Sequence, residues 1–257
     1  MLIMYYTLWQ MHPALTTRGF PDKLQCYIVK EAIMKKLKFG TNWSLGNLLR
    51  GLAFVTSDRP TKPVDAILFF TRASGDEGML FELASETISA GQAKYIITNG
   101  GDGRGMGTVP GAAWPGKNAY AQEFQKLSVD PRIIHYSEPA GNTKIEAEEF
   151  LKVANGLGCK SAVILNHPHR LLRAGLHIIK ELERKNQFLE IYFLCPTRTN
   201  WMEVTAGSQG KNPMPQIFHG DHEIGIIRKH SRWIGDKPPD IPSPQEFFDY
   251  IEKRDGQ

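Results

Sequence analysis

Ser161-Ala162-Val163-Ile164-Leu165-Asn166-His167-Pro168-His169-Arg170-Leu171-Leu172-Arg173-Ala174 decides the reading of this chain. Residues 161–166 are a short, mostly apolar run bounded by a turn-forming Asn-His-Pro, which reads as a buried strand. Behind it, residues 170–185 carry apolar side chains at helical spacing. A second run of the same kind, Tyr95-Ile96-Ile97-Thr98-Asn99-Gly100-Gly101, stops at two glycines. A buried strand that empties into polar residues and then a helix is half of a βαβ unit.

Outward from these two segments the alternation continues. Strands are predicted over 65–71 (DAILFFT), 93–98, 132–136, 161–166 and 188–195, and helices over 77–90, 117–127, 143–157 and 170–185. This pattern predicts an α/β fold, a Rossmann-like three-layer sandwich with a mainly parallel sheet. Residues 1–60 read differently, as a helical N-terminal extension. One helix is expected over 22–38, ending at Gly40. A second, capped by Ser44, has a stripe of Leu45, Leu48, Leu49 and Leu52. The α/β domain is taken as 61–235, with 197–218 as a long loop of the lid or binding kind and a helix over 222–233. Residues 236–257 form a proline-rich tail with a terminal helix from about Pro244.

Composition narrows the function classes. The 257 residues are 41% hydrophobic and 23% charged, which suits a globular core. A net charge of +4, with basic and acidic residues interleaved, gives no nucleic-acid footprint but suits a small anionic ligand. No run approaches the roughly 20 apolar residues of a membrane span. Cys26, Cys159 and Cys195 are odd in number and lack metal-ligand spacing, so a reduced, cytoplasmic setting is expected. Cys195 ends a strand and reads as a small apolar filler before it reads as a nucleophile.

In a parallel α/β sheet ligands bind at the carboxyl ends of the strands. The candidate site follows from that rule. Asn99, Gly100 and Gly101 end one strand, and glycine amides there can form an anion nest. The longer string to Gly107 matches neither a dinucleotide fingerprint nor a Walker A loop. Asn142 or Thr143 caps the helix over 143–157, whose free amides point at the strand ends. Thr143 and Glu146 have capping-box spacing, so Glu146 is expected to close that box. His167 and His169 follow the strand over 161–166. His169 is the candidate general acid or base, and Arg173, one turn on, is either an anion ligand or an ion-pair partner for a sheet-end carboxylate. Arg72 follows the first strand. His219, Asp221, His222 and Glu223 add a histidine-rich segment that with His167 and His169 could supply metal ligands, but no established metal spacing is present and no metal site is assigned; Asp221 reads as an N-cap.

Taken in order, these segments resemble the bacterial YdcF, SanA and ElyC family, a domain of unknown function. The resemblance runs over about residues 64–195. It rests on the first strand, on Asn99-Gly100-Gly101, on Asn142-Thr143 with Glu146-Ala147, and on His169 with Arg173-Ala174. It implies a Rossmann-like fold with a polar pocket at the strand ends, and members linked to envelope biogenesis. This chain departs from the family pattern in its Thr71-Arg72 strand end and its additional His167, and no membrane anchor is expected, unlike the SanA and ElyC branch.

The expected function is therefore binding of a small anionic or nucleotide-like ligand by Arg72, Asn99, Gly100, Gly101, Asn142, Thr143, His167, His169 and Arg173. Transferase or hydrolase chemistry is one outcome. A non-catalytic module for a nucleotide or S-adenosylmethionine-like ligand is the second, and a metal-dependent hydrolase the third. The cofactor and the oligomeric state stay open.

Overall fold

The computed structural model describes residues 41–71, 77–103, 114–202, 204–205, 214–232, 234 and 236–256. Arg72, Cys26 and the helix expected over 22–38 lie outside the described residues.

Five strands form one all-parallel sheet in the order β3-β2-β1-β4-β5: β1 (Val64–Phe69), β2 (Ala93–Thr98), β3 (Ile134–Tyr136), β4 (Ser161–Leu165) and β5 (Glu190–Leu194). The fold is the expected Rossmann-like α/β sandwich. Its strands alternate with α2 (Gly78–Ser89), α3 (Lys117–Lys126), α4 (Thr143–Gly156) and α5 (Pro168–Arg184), preceded by α1 (Leu45–Ser57). The third strand is shorter than 132–136 because Pro131 starts a 3₁₀ turn, Pro131–Ile133, capped by the Asp130 side chain on Arg132 N.

Side chains alternate between the two faces of β1, and both faces are buried. Ile67 and Phe69 join Leu80 and Phe81 of α2 with Tyr120 and Phe124 of α3. Phe70 meets Phe150 of α4 edge-on from the other side, at 5.0 Å between ring centroids. A further aromatic group joins Phe54 of α1, Phe193 of β5, and Phe247 and Phe248 of α7 (Pro244–Asp255). At about 1.5–3 kcal/mol per buried large apolar side chain, these rings contribute much of the drive to fold.

Ser44 caps α1 as expected, accepting from Asn47 N at 3.3 Å. The buried row is not the expected leucine stripe, however. Leu48, Gly51, Phe54 and Val55 face inward, while Leu45 is 42% exposed and Leu49 and Leu52 are half-buried. The helix is rotated because Gly51 lets it approach α5: a Cβ there would meet Leu172 and Trp43 at 3.1 Å.

The segment after β5 differs from the loop and helix read from sequence. Val204–Thr205 (β6) and Met214–Pro215 (β7) pair antiparallel, and α6 (Gln216–His230) starts six residues before 222. Asp221 thus lies inside the helix and caps nothing. Gly220 and the preceding prolines read as loop signals, but Pro215 is the residue that precedes the first turn.

Candidate anion site at the sheet switch point

β1 has β2 on one side and β4 on the other, so chain order reverses at β1 and opens the crevice where such sheets bind ligands. Thr71, Asn99 and Asn166 stand just beyond these three strand ends.

Glu146 comes from α4, one turn beyond the N-cap. The cap is Asn142, whose side chain accepts from Lys144 N and Ile145 N, both at 3.1 Å. Glu146 therefore does not close a box. It turns inward, is 4% exposed, and accepts from Thr71 N at 3.1 Å, from Thr71 Oγ1 and from Asn99 Nδ2 at 3.4 Å. Burial pushes its pKa above the ordinary carboxyl value, against the opposing hydrogen bonds from Thr71 and Asn99 and the charge of Arg173. Polar donors that cross from β1 and β2 won this side chain from its own helix end.

Asn99 braces the turn. Its Nδ2 also donates to Ala140 O at 2.7 Å, and its Oδ1 accepts from Gly101 N at 3.0 Å and Ala140 N at 3.2 Å. The Gly101 amide is thus engaged by Asn99. Gly100 passes Ser137 so closely that a Cβ would lie 2.0 Å from Ser137 O. Its lack of a side chain answers to backbone packing between the ends of β2 and β3.

The basic half of the site is on α5. Pro168 occupies the first helical position, which it suits because its missing N–H has no partner to find there. Arg170 and Arg173 then fall one turn apart, with 8% and 10% side-chain exposure. Arg173 Nε and Nη2 grip Glu223 of α6, the latter at 3.2 Å from Oε1, and Nη1 donates to Thr143 Oγ1 at 2.7 Å. Of the two roles read from sequence for Arg173, the ion pair is present, and its carboxylate comes from a helix outside the crossover pattern. Arg170 Nε lies 3.5 Å from Glu223 Oε1. Among the described residues, Arg170 Nε and Nη2 have no hydrogen-bond partner. Burial, with the neighbouring Arg173 charge, pulls the Arg170 pKa down to about 10, against Glu223 and Glu146.

Beside the guanidinium pair three buried imidazoles line up. His169 stacks on His167 at 5.8 Å and on His219 of α6 at 5.9 Å, and Trp201 meets it edge-on at 6.4 Å. His167 is the N-cap of α5, with its backbone N on Asn166 Oδ1 at 2.9 Å.

The structure therefore joins Asn99 to Glu146 and Thr71, joins Thr143 to Arg173, and stacks His167 on His169. Asn142 stays exposed at its cap. Sequence reasoning missed Thr71 and Glu146 as site groups; it placed Arg170 beside His169 without assigning it to the site, and it read His219 and Glu223 only as part of a histidine-rich segment, not as neighbours of His169 and Arg173. Proline at the helix start was the available signal for Arg170, since it moves the first turn back to 168. His222 and Asp221 are exposed, and among the described residues no group of three or more His, Cys, Asp or Glu side chains is placed to hold a metal ion. Cys195 is buried, and burial raises its pKa, which suits a packing role. Among the described residues no helix is long and apolar enough to cross a membrane.

Fold and cluster together define a doubly wound α/β protein with a buried guanidinium pair at its switch point. No family model matches the chain, and no curated protein matches it.

Proposed function

We propose that this is a cytoplasmic YdcF-like protein whose switch-point cluster binds a small anion, such as the phosphate or carboxylate of a nucleotide-like ligand. One observation carries the reading. Arg170 is a buried cation with two guanidinium nitrogens that no described residue accepts from. Buried N–H groups are nearly always hydrogen-bonded, and a guanidinium is a bidentate partner for phosphate or carboxylate. The adjoining imidazoles of His169 and His167 suit transferase or hydrolase chemistry, with His169 as acid or base. A second reading, binding without turnover, is favoured by one observation. The Thr143 hydroxyl accepts from the Arg173 guanidinium, and that charge makes it a poorer nucleophile.

Calorimetric titration of the full chain with inorganic phosphate and with adenosine monophosphate tests the reading. Arg170→Gln should weaken binding by about 1.5–3 kcal/mol, the range for hydrogen bonds to charged groups. Arg170→Gln with undiminished affinity overturns it. Single-turnover assays on a phosphomonoester, with His169→Gln as control, separate turnover from binding.

A further inference from the structure

We propose that Glu223 is an internal competitor for this anion site: an anionic ligand binds by displacing the Glu223 carboxylate from the Arg170 and Arg173 guanidinium pair, and α6 shifts as it does so. The inference rests on the anion-site reading and adds what stands in the ligand's place before it arrives.

The chemistry is that of like replacing like. Glu223 is a carboxylate, 2% exposed, bound in two places by Arg173 and lying 3.5 Å from Arg170 Nε. A phosphate or carboxylate seeks this same geometry. An anion that reaches both guanidinium groups must share them with Glu223 or remove it. Sharing would place two negative charges side by side in a buried setting, where like charges repel strongly.

The two sides of the contact are fixed to different degrees. Arg173 is held from the sheet side by Thr143 Oγ1, a bond independent of α6. It therefore keeps its place when Glu223 leaves. The fully buried row of α6 is Gln216, His219, Glu223 and Ile227, three polar side chains and one apolar, with Ile217, Ile224 and Ile226 half-buried. The deepest contacts of this helix are thus mainly polar, and segments with few fully buried apolar contacts open at lower free-energy cost. Gly225 lies within α6 with nothing within 4 Å of where its Cβ would be, so no packing requirement explains that glycine. Glycine in a helix interior costs about 1 kcal/mol relative to alanine. A helix with an interior glycine, whose hold on Arg173 is one replaceable carboxylate, suits displacement.

The test is phosphate titration of the full chain as wild type, Glu223→Gln, Arg170→Gln and the double variant. Glu223→Gln keeps the side-chain volume and one acceptor for Arg173 but removes the competing charge. It should bind phosphate at least about tenfold tighter than wild type, and that gain should vanish when Arg170→Gln is added. Equal or weaker binding in Glu223→Gln, still dependent on Arg170, overturns the competitor while the anion site stands. Phosphate bound by none of the four proteins overturns both. Wild-type hydrogen exchange needs no variant to fold: phosphate should speed exchange in residues 216–230. Unchanged or slowed exchange there, with phosphate bound, also overturns the proposal.

Discussion

Glu146 and Gly100 illustrate how a single side chain, or its lack, is dictated by what crosses a strand end. Burial raises the Glu146 pKa, so the folded state holds its proton more tightly than the unfolded chain. Its contribution is then most favourable below the ordinary carboxyl value and is lost as pH rises through the folded pKa. Glu146→Gln keeps an acceptor for Thr71 N without the charge, and should change stability at pH 7 by less than about 1 kcal/mol. Glu146→Ala leaves the Thr71 amide and Asn99 Nδ2 without that acceptor and should cost about 1–3 kcal/mol. Urea unfolding of both variants checks the difference; equal losses would mean that only side-chain volume matters. Gly100→Ala should destabilise by about 1–3 kcal/mol, because its Cβ would overlap a backbone oxygen that cannot turn aside. The sequence marked Gly100 as a point of close approach. It could not say that the neighbour is Ser137 O, because a ligand and a backbone make the same demand on a glycine.

Among the elements, α5 is held close to the sheet at one glycine. A Cβ on Gly175 would lie 2.3 Å from Phe193 Cε1 in β5. Alanine normally stabilises a helix interior by about 1 kcal/mol over glycine, but overpacking a filled core costs about 1–3 kcal/mol. Gly175→Ala should therefore destabilise, whereas Gly225→Ala in α6, with open space around it, should stabilise by up to about 1 kcal/mol; thermal unfolding gives both signs. At the far end, Arg254 of α7 meets Asp58, just after α1, at 2.8 Å, with both side chains 0% exposed. Burial alone would lower the Arg254 pKa, but Asp58 outweighs it and holds it above the ordinary value. Asp58→Ala should cost about 1–3 kcal/mol, the range for leaving buried donors unsatisfied, since Asp255 at 2.7 Å and Ile191 O at 2.6 Å still meet the guanidinium. The legibility of these elements divides along the same physical line. β2 coincided with its expected bounds, and α4 and β4 nearly so, because buried strands and strongly periodic helices announce themselves locally. The start of α6 did not, since its inward face is Gln216, His219 and Glu223, which carries no apolar period. Glu223 was for that reason invisible as the partner of Arg173, although Arg173 itself was legible from its place behind a strand.

Across the molecule, α4, α5, α6 and the segment after α6 meet around His177, and there acid should act first. His177 is 3% exposed, its ring meets His230 edge-on at 5.4 Å, and among the described residues neither of its ring nitrogens has a hydrogen-bond partner. Burial depresses its pKa to about 3, helped by the charges of Arg173, His230 and Lys144 and opposed by Asp240. The His230 pKa is also lowered, chiefly by burial. Asp240 stays ionised to lower pH than usual, because the Lys144 ion pair at 2.6 Å outweighs its burial. A histidine depressed in the fold takes up a proton more readily when the chain unfolds. Stability from His177 is then fully present above about pH 6.5 and is lost as pH falls from there towards about 3, by at most about 1.4 kcal/mol per pH unit for one group. His177→Leu replaces an unpaired polar ring with an apolar side chain and should flatten that slope between pH 6.5 and 4. It should leave stability at pH 7.5 unchanged or higher, since it removes buried polar atoms that no partner satisfies. Denaturant unfolding of wild type and His177→Leu across this range reads the difference directly. Parallel curves would place the acid sensitivity in other groups, and a large loss at pH 7.5 would mean that the imidazole makes a contact the apolar side chain cannot replace.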